Sequence, residues 1–148
     1  VKGVSLIGKE NAIPAPGVLD SIKNADLILI CPSNPIISIG PIFDIKGIRE
    51  AVINSKATKI AVSPLIGGKP LKGPADRLMK GLDLEVSSAQ IAKLYKDFLD
   101  IMVIDIEDAV ESEEIEKLGI KTIVTDTLMT DDTKSEMLSK NILDQISY

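Results

Sequence analysis

Apolar residues in this chain gather into short unbroken runs separated by amphipathic stretches. The runs at 27–31, 59–63, 101–104 and 121–124 predict strands. Unbroken apolar runs of this length suit a parallel sheet covered on both faces, because neither side chain set has to face water. Residues 4–7 form another short apolar segment and predict a strand near the start. The stretches between follow a helical period. Residues 18–24 place Val18, Leu19 and Ile22 on one face, and residues 45–53 repeat Ile45, Ile48, Ala51, Val52 and Ile53. Ile91, Leu94, Tyr95, Phe98 and Leu99 form the cleanest stripe, with Ser87 or Ser88 placed as its cap. Further helices are predicted at 74–80, where Pro74 suits a first turn, at 111–118, stopped by Gly119, and at 131–146.

Strand and helix alternate along most of the chain. This order predicts an α/β fold: a Rossmann-like parallel sheet with helices on both faces, built as a single segment, 1–148, of a larger domain. Two stretches rich in proline and glycine, 32–44 and 65–73, are expected to be loops. Both follow strands, at the end of a parallel sheet where ligands gather.

Composition narrows the chemistry. The 148 residues include one cysteine and no histidine. A disulfide framework, a Ser-His-Asp triad, a histidine base and the usual zinc sites are therefore excluded. The net charge of −5, with both signs interspersed and few aromatic residues, gives no reason to expect nucleic acid as a partner. No apolar run approaches the roughly 20 residues that span a bilayer, and no secretory leader pattern is visible, so a cytoplasmic protein away from membranes is expected. The first residue is Val1 rather than methionine, which suggests a cut or partial chain.

Candidate chemistry concentrates in the two turn-rich stretches. The first carries Ser33, Asn34, Pro35 and Ser38, whose hydroxyl and amide groups, with backbone N–H groups, suit a phosphate or a ribose-like hydroxyl. The same residues also satisfy an ordinary proline-rich turn. The second carries Gly67, Gly68, Lys69, Lys72 and Gly73, where lysines beside glycines permit close approach of an anion. Arg77 could add a bidentate contact; a solvated loop is the alternative. Neither stretch is a Walker loop or a GxGxxG turn. Asp105, Asp108 and Asp126 lie at or after strand ends, where they suit Mg²⁺ or, more simply, helix capping. Cys31 is expected to face the core, Tyr95 and Phe98 to serve packing, and Glu111, Glu113, Glu114 and Glu116 to form a solvated patch. No residue presents itself as a general base, and the metal ligands are not identified.

The stretches "ADLILICPSNPIISIGPI" and "AVSPLIGGKPLKGPADRLM", followed by "LYKDFLDIMVIDIEDA" and "LGIKTIVTDTLM", resemble the latter half of the 2-phospho-L-lactate transferase family across residues 3–143. The resemblance implies transfer of a phospholactyl or phosphoenolpyruvyl group from a guanosine-diphosphate-activated donor. The acceptor would be the hydroxyl of 7,8-didemethyl-8-hydroxy-5-deazariboflavin, with GMP released and Mg²⁺ required, in the deazaflavin coenzyme biosynthesis linked to methanogenesis. It assigns Ser33, Asn34, Pro35 and Ser38 to the nucleotide or phosphate turn. Gly67, Gly68, Lys69, Lys72 and Gly73 match the family's second loop, which contacts or orders the substrate pocket. Lys93 and Leu94 stand where the family commonly has arginine and histidine. Further partners so implied are a missing N-terminal half or complementary subunit, and a homodimer. A non-catalytic nucleotide-binding or regulatory protein of the same fold is the alternative.

Overall fold

A computed structural model describes residues 3–146. Its main sheet contains β1 (Leu27–Ile30), β2 (Thr58–Val62), β5 (Ile101–Asp105) and β6 (Lys121–Thr125), parallel and in the spatial order β1-β2-β5-β6. A separate hairpin pairs β3 (Leu65–Ile66) with β4 (Lys69–Pro70). The helices are α1 (Val18–Lys23), α2 (Gly40–Phe43), α3 (Ile48–Asn54), α4 (Ala75–Gly81), α5 (Ser88–Leu94), α6 (Ser112–Glu116) and α7 (Asp132–Asp144). They flank the sheet on both sides, in a Rossmann-like arrangement.

The period-two alternation of the central strands divides the core into two layers. Ile30, Ala61, Met102 and Ile104 face one way and pack with Val52 of α3, Met79 of α4, Ile91 of α5 and Ile115 of α6. Ile60, Val62, Ile101, Val103 and Ile123 face the other way, against Leu138 and Ile142 of α7. Ile60, Met102, Val103 and Ile104 are completely buried. Each such side chain contributes about 1.5–3 kcal/mol relative to exposure, so burial at the sheet centre is a substantial source of stability.

Several local expectations change. Residues 4–7 form no strand; Ile7 is fully exposed, and without a partner strand or burial nothing holds this apolar segment in a sheet. Residues 32–44 are largely helical rather than a loop. The Asn34 Oδ1 accepts hydrogen bonds from the N–H groups of Ile36 and Ile37, at 2.9 and 3.2 Å, and so starts a π-helical turn, Pro35–Ile39, that runs into α2. The helix expected at 111–118 starts earlier, as the 3₁₀ segment Ile106–Glu111, because Asp105 Oδ1 accepts from the Glu107 N–H at 3.0 Å. α5 is capped by Ser87, which accepts from the Gln90 N–H. That helix ends at Leu94, yet Tyr95, Phe98 and Leu99 remain buried, as the stripe predicts. Cys31 is exposed, contrary to expectation, because β1 ends at Ile30 and Cys31 shares the face of Leu29, which is itself 43% exposed.

Candidate functional site

Carboxyl ends of the parallel strands point toward one end of the sheet, and the connections leaving them build an open cleft of about 450 Å³. Ser33, Asn34, Ile37 and Ser38, which follow β1, form one wall. Ser63 and Pro64, which follow β2, lie beneath. The segment from Pro70 to Ala75 forms the opposite wall, and Thr127 and Met129, which follow β6, close a third side. This is the position at which a parallel sheet presents ligand sites, since every crossover must turn there.

Each wall is fixed by a specific set of polar contacts. Along the first, the Asn34 carbonyl is committed to the π-helical turn, while its Nδ2 is buried without a hydrogen-bond partner. An unsatisfied buried donor costs about 1–3 kcal/mol, and the capping bonds offset that cost. Gly40, at the join with α2, is required by space: a Cβ there would lie 2.9 Å from the Pro35 carbonyl oxygen. The far end of this wall is held by a cluster. Arg49 donates from Nε and Nη2 to the two carboxylate oxygens of Asp97 at 2.8 and 2.6 Å, and its guanidinium lies 5.2 Å from the Phe98 ring centre. Phe43, the last residue of α2, packs on Phe98 with ring centres 4.8 Å apart.

The opposite wall hangs on Asp108. Gly67 and Gly68 form the two-residue connection between β3 and β4, with φ of +58° and +69°. Positive φ at both positions is the signature of the hairpin turn that glycine accepts most readily. Their N–H groups donate to the two oxygens of the buried Asp108 at 3.1 and 2.8 Å. Asp105 does the same for the third side, accepting from the N–H and the hydroxyl of Thr127 at 2.8 and 3.0 Å. Beneath the cleft, the hydroxyls of Ser63 and Ser88 share a 2.7 Å hydrogen bond, and Ser63 Oγ accepts from the Leu65 N–H.

Of the sequence-predicted site residues, the cleft brings together Ser33, Asn34, Ser38, Lys72 and Gly73. Pro35 is buried behind the first wall. Gly67 and Gly68 occupy the hairpin turn, with their N–H groups turned to Asp108 rather than toward the cleft. Lys69 and Arg77 are exposed and lie outside the cleft lining. Ser63, Thr127, Ile37, Leu71 and Met129 line the cleft without having been singled out in the sequence. Ser63 and Thr127 carried a usable signal, since each is a hydroxyl residue just beyond a strand.

Lys72 is the single charged residue among those lining the cleft, and no carboxylate opposes it there. Hydroxyls, an amide and one ammonium make a site that suits an anionic, hydrogen-bonding ligand. None of these groups is an effective proton acceptor, so the lining holds no general base. Among the described residues no three His, Cys, Asp or Glu side chains converge on a metal position. Asp105 and Asp108 are occupied by protein donors. Asp126 accepts from the Leu128 N–H and pairs with Lys134; the Lys134 hydrogen bond, first of all, holds its carboxyl below the usual range. Asp131 caps α7 by accepting from the Lys134 N–H at 2.9 Å, which lowers its pKa. Glu111 departs from the solvated patch: it accepts from the Ala89 N–H at 2.8 Å, and burial pushes its carboxyl upward. Lys93 is exposed and paired with Glu114, at 2.7 Å.

A family model described as 2-phospho-L-lactate transferase CofD matches residues 1–146. The 2-phospho-L-lactate transferase of Methanosarcina barkeri is 45% identical over 97% of this chain and 46% of its own length. The phosphoenolpyruvate transferase of Streptomyces griseus is 37% identical over 93% of this chain and 44% of its own. Thus the chain spans about half the length of these curated relatives. In structure it resembles protein BH3568 of Bacillus halodurans, with a TM-score of 0.63 at 18% identity, covering 88% of this chain and 47% of the other. That likeness shows the fold alone.

Proposed function

The chain belongs to the 2-phospho-L-lactate transferase CofD family, and from that premise we propose that its cleft binds the phosphates of a guanosine-diphosphate-activated donor. The complete transferase passes the donor's phospholactyl or phosphoenolpyruvyl group to the hydroxyl of 7,8-didemethyl-8-hydroxy-5-deazariboflavin. The acceptor oxygen attacks the phosphorus that carries the lactyl or enolpyruvyl oxygen, the bond from that phosphorus to the GMP oxygen breaks, and GMP leaves. The acceptor's proton passes to solvent or to a base outside the cleft lining.

One observation supports this reading above the rest: the wall after β1 and the wall around Lys72 meet across one cleft with a single positive charge. Negative charge on the diphosphate, and on GMP as it departs, is matched there by the Lys72 ammonium and by neutral donors from Ser33 and Ser38. Holding the donor in line with the acceptor supplies the rest, through orientation. Mg²⁺ belongs to the proposed requirement of the complete enzyme. Among the described residues no three His, Cys, Asp or Glu side chains group to hold it.

The complete transferase, given donor, deazaflavin alcohol and Mg²⁺, is expected to release GMP only when the alcohol is present. Failure of the folded complete enzyme to release GMP would refute the reaction. Lys72→Ala is expected to weaken donor binding by about tenfold, equivalent to about 1.4 kcal/mol. Unchanged affinity would remove Lys72 from the phosphate site.

A further inference from the structure

Ser63 directly follows the apolar strand β2, and Ser88 opens α5. Packing of α5 on the sheet brings the two hydroxyls together across 25 positions of sequence, with an Oγ–Oγ distance of 2.7 Å. Both residues are buried: Ser63 is 2% exposed and Ser88 is completely covered. Buried hydroxyls need partners for their protons, because bulk water does not supply them.

A serine hydroxyl has one proton to donate and two lone pairs with which to accept. The pair thus holds two protons, and the bond between them uses one. Ser63 Oγ also accepts from the Leu65 N–H at 3.1 Å. If Ser63 donates to Ser88, the left-over proton sits on the covered Ser88, whose hydroxyl makes no second hydrogen bond among the described residues. A buried donor without an acceptor is destabilising. If Ser88 donates to Ser63, both Ser63 lone pairs are filled, by Ser88 and by Leu65, and the left-over proton belongs to Ser63. Ser63 borders the cleft and Ser88 does not. Only the second arrangement gives that proton an outlet.

We infer that Ser63 is a ligand-binding hydroxyl of the cleft. Its oxygen is held by Ser88 and the Leu65 N–H, and its proton is donated to an anionic oxygen of the diphosphate in the activated substrate. This rests on the reading of the cleft as a phosphate site. Two other residues of the lining set Ser63 in context. The Thr127 hydroxyl is committed to Asp105, so it has no proton free for a ligand. The Asn34 Nδ2, by contrast, is buried without an acceptor, as the Ser63 proton is. No carboxylate in the lining competes for either group. A neutral donor fixed in place by the fold needs no reorganisation when negative charge arrives.

Calorimetric titration of the complete transferase with guanosine diphosphate and with inorganic pyrophosphate tests this. Ser63→Ala is expected to weaken both by about tenfold. It also leaves the Ser88 hydroxyl and the Leu65 N–H without a partner, so the melting temperature should fall by several degrees. In the double variant, Ser63→Ala with Ser88→Ala, the stranded hydroxyl is gone. Part of the melting temperature should return while the tenfold loss of affinity persists, which separates ligand contact from folding. Unchanged affinity in Ser63→Ala would overturn the inference, and so would affinity that returns with stability in the double variant. Guanosine diphosphate binding that ignores Ser63→Ala would remove Ser63 and leave the nucleotide reading standing. Pyrophosphate binding that depends on Ser63, in an enzyme that does not bind guanosine diphosphate, would do the reverse. A wild-type enzyme that binds neither probe would refute both.

Discussion

Asp108 is the most informative single position for the second wall of the cleft. Its carboxylate is 3% exposed and holds both N–H groups of the Gly67–Gly68 turn, at 3.1 and 2.8 Å. Hydrogen bonds to a charged acceptor contribute about 1.5–3 kcal/mol each when buried. Gly67 is exposed and recovers a water partner when the carboxylate is removed, whereas Gly68 is half-buried and recovers less. The expected cost of Asp108→Ala is therefore about 3 kcal/mol, toward the lower end of the sum for two bonds. Asp108→Asn keeps one acceptor oxygen but turns an NH₂ toward the other N–H. Its expected cost is about 2 kcal/mol. Urea unfolding, followed by far-ultraviolet circular dichroism with the slope checked for constancy, gives both values. The hairpin leads directly through Pro70 to Lys72, so both variants are also expected to weaken donor binding. If both variants stay within about 0.5 kcal/mol of wild type, the range of a neutral surface substitution, the assigned role of Asp108 is wrong.

Gly40→Ala is expected to destabilise by about 1–3 kcal/mol despite alanine's higher helix propensity, because the new Cβ meets the Pro35 carbonyl at 2.9 Å; a stabilised variant in the same urea assay would contradict this. Arg49→Lys is expected to cost about 1–2 kcal/mol, since lysine loses both the bidentate contact to Asp97 and the stacking on Phe98; thermal unfolding checks it. Glu111 has a folded pKa raised above its ordinary value of 4.5, first by burial and also by the neighbouring Asp108. The folded state thus holds this proton more tightly than the unfolded state, and stability falls as pH rises from 4.5 through the raised value. Glu111→Gln removes that loss, so its stability relative to wild type should climb across this window; a difference that stays constant with pH would be inconsistent with the burial effect.

The sheet was legible because its strands are apolar on both sides. Unbroken runs such as residues 101–104 leave little alternative to a buried parallel strand, and the observed β5 extends that run by one residue. The stripe from Ile91 to Leu99 likewise identified core side chains, although the helix itself ends at Leu94. What the sequence concealed were conformations fixed by single polar side chains at a distance. Asn34 converts a proline-rich stretch into a π-helical turn, and Asp108 pins a glycine turn some forty positions earlier in the chain. Local composition contains no signal for the second kind of contact. Within the site, both turn-rich stretches stood out by their composition, although the first is largely helical rather than a loop. The division of labour inside the second did not stand out: Gly67 and Gly68 anchor the hairpin, while Lys72 and Gly73 reach the cleft. Exposure of Leu29 and Cys31 was hidden for a different reason, since a run of apolar residues does not reveal whether its strand lies at an edge.

Binding of the guanosine-diphosphate-activated donor in this cleft is tested most directly by a nuclear magnetic resonance titration of the isotope-labelled complete transferase with guanosine diphosphate. The largest amide shifts should fall on Ser33, Asn34, Ser38, Lys72, Gly73 and Thr127, residues drawn from three sides of the cleft. Saturable binding that leaves these six amides unmoved, with the shifts concentrated elsewhere in the protein, would contradict the proposed site.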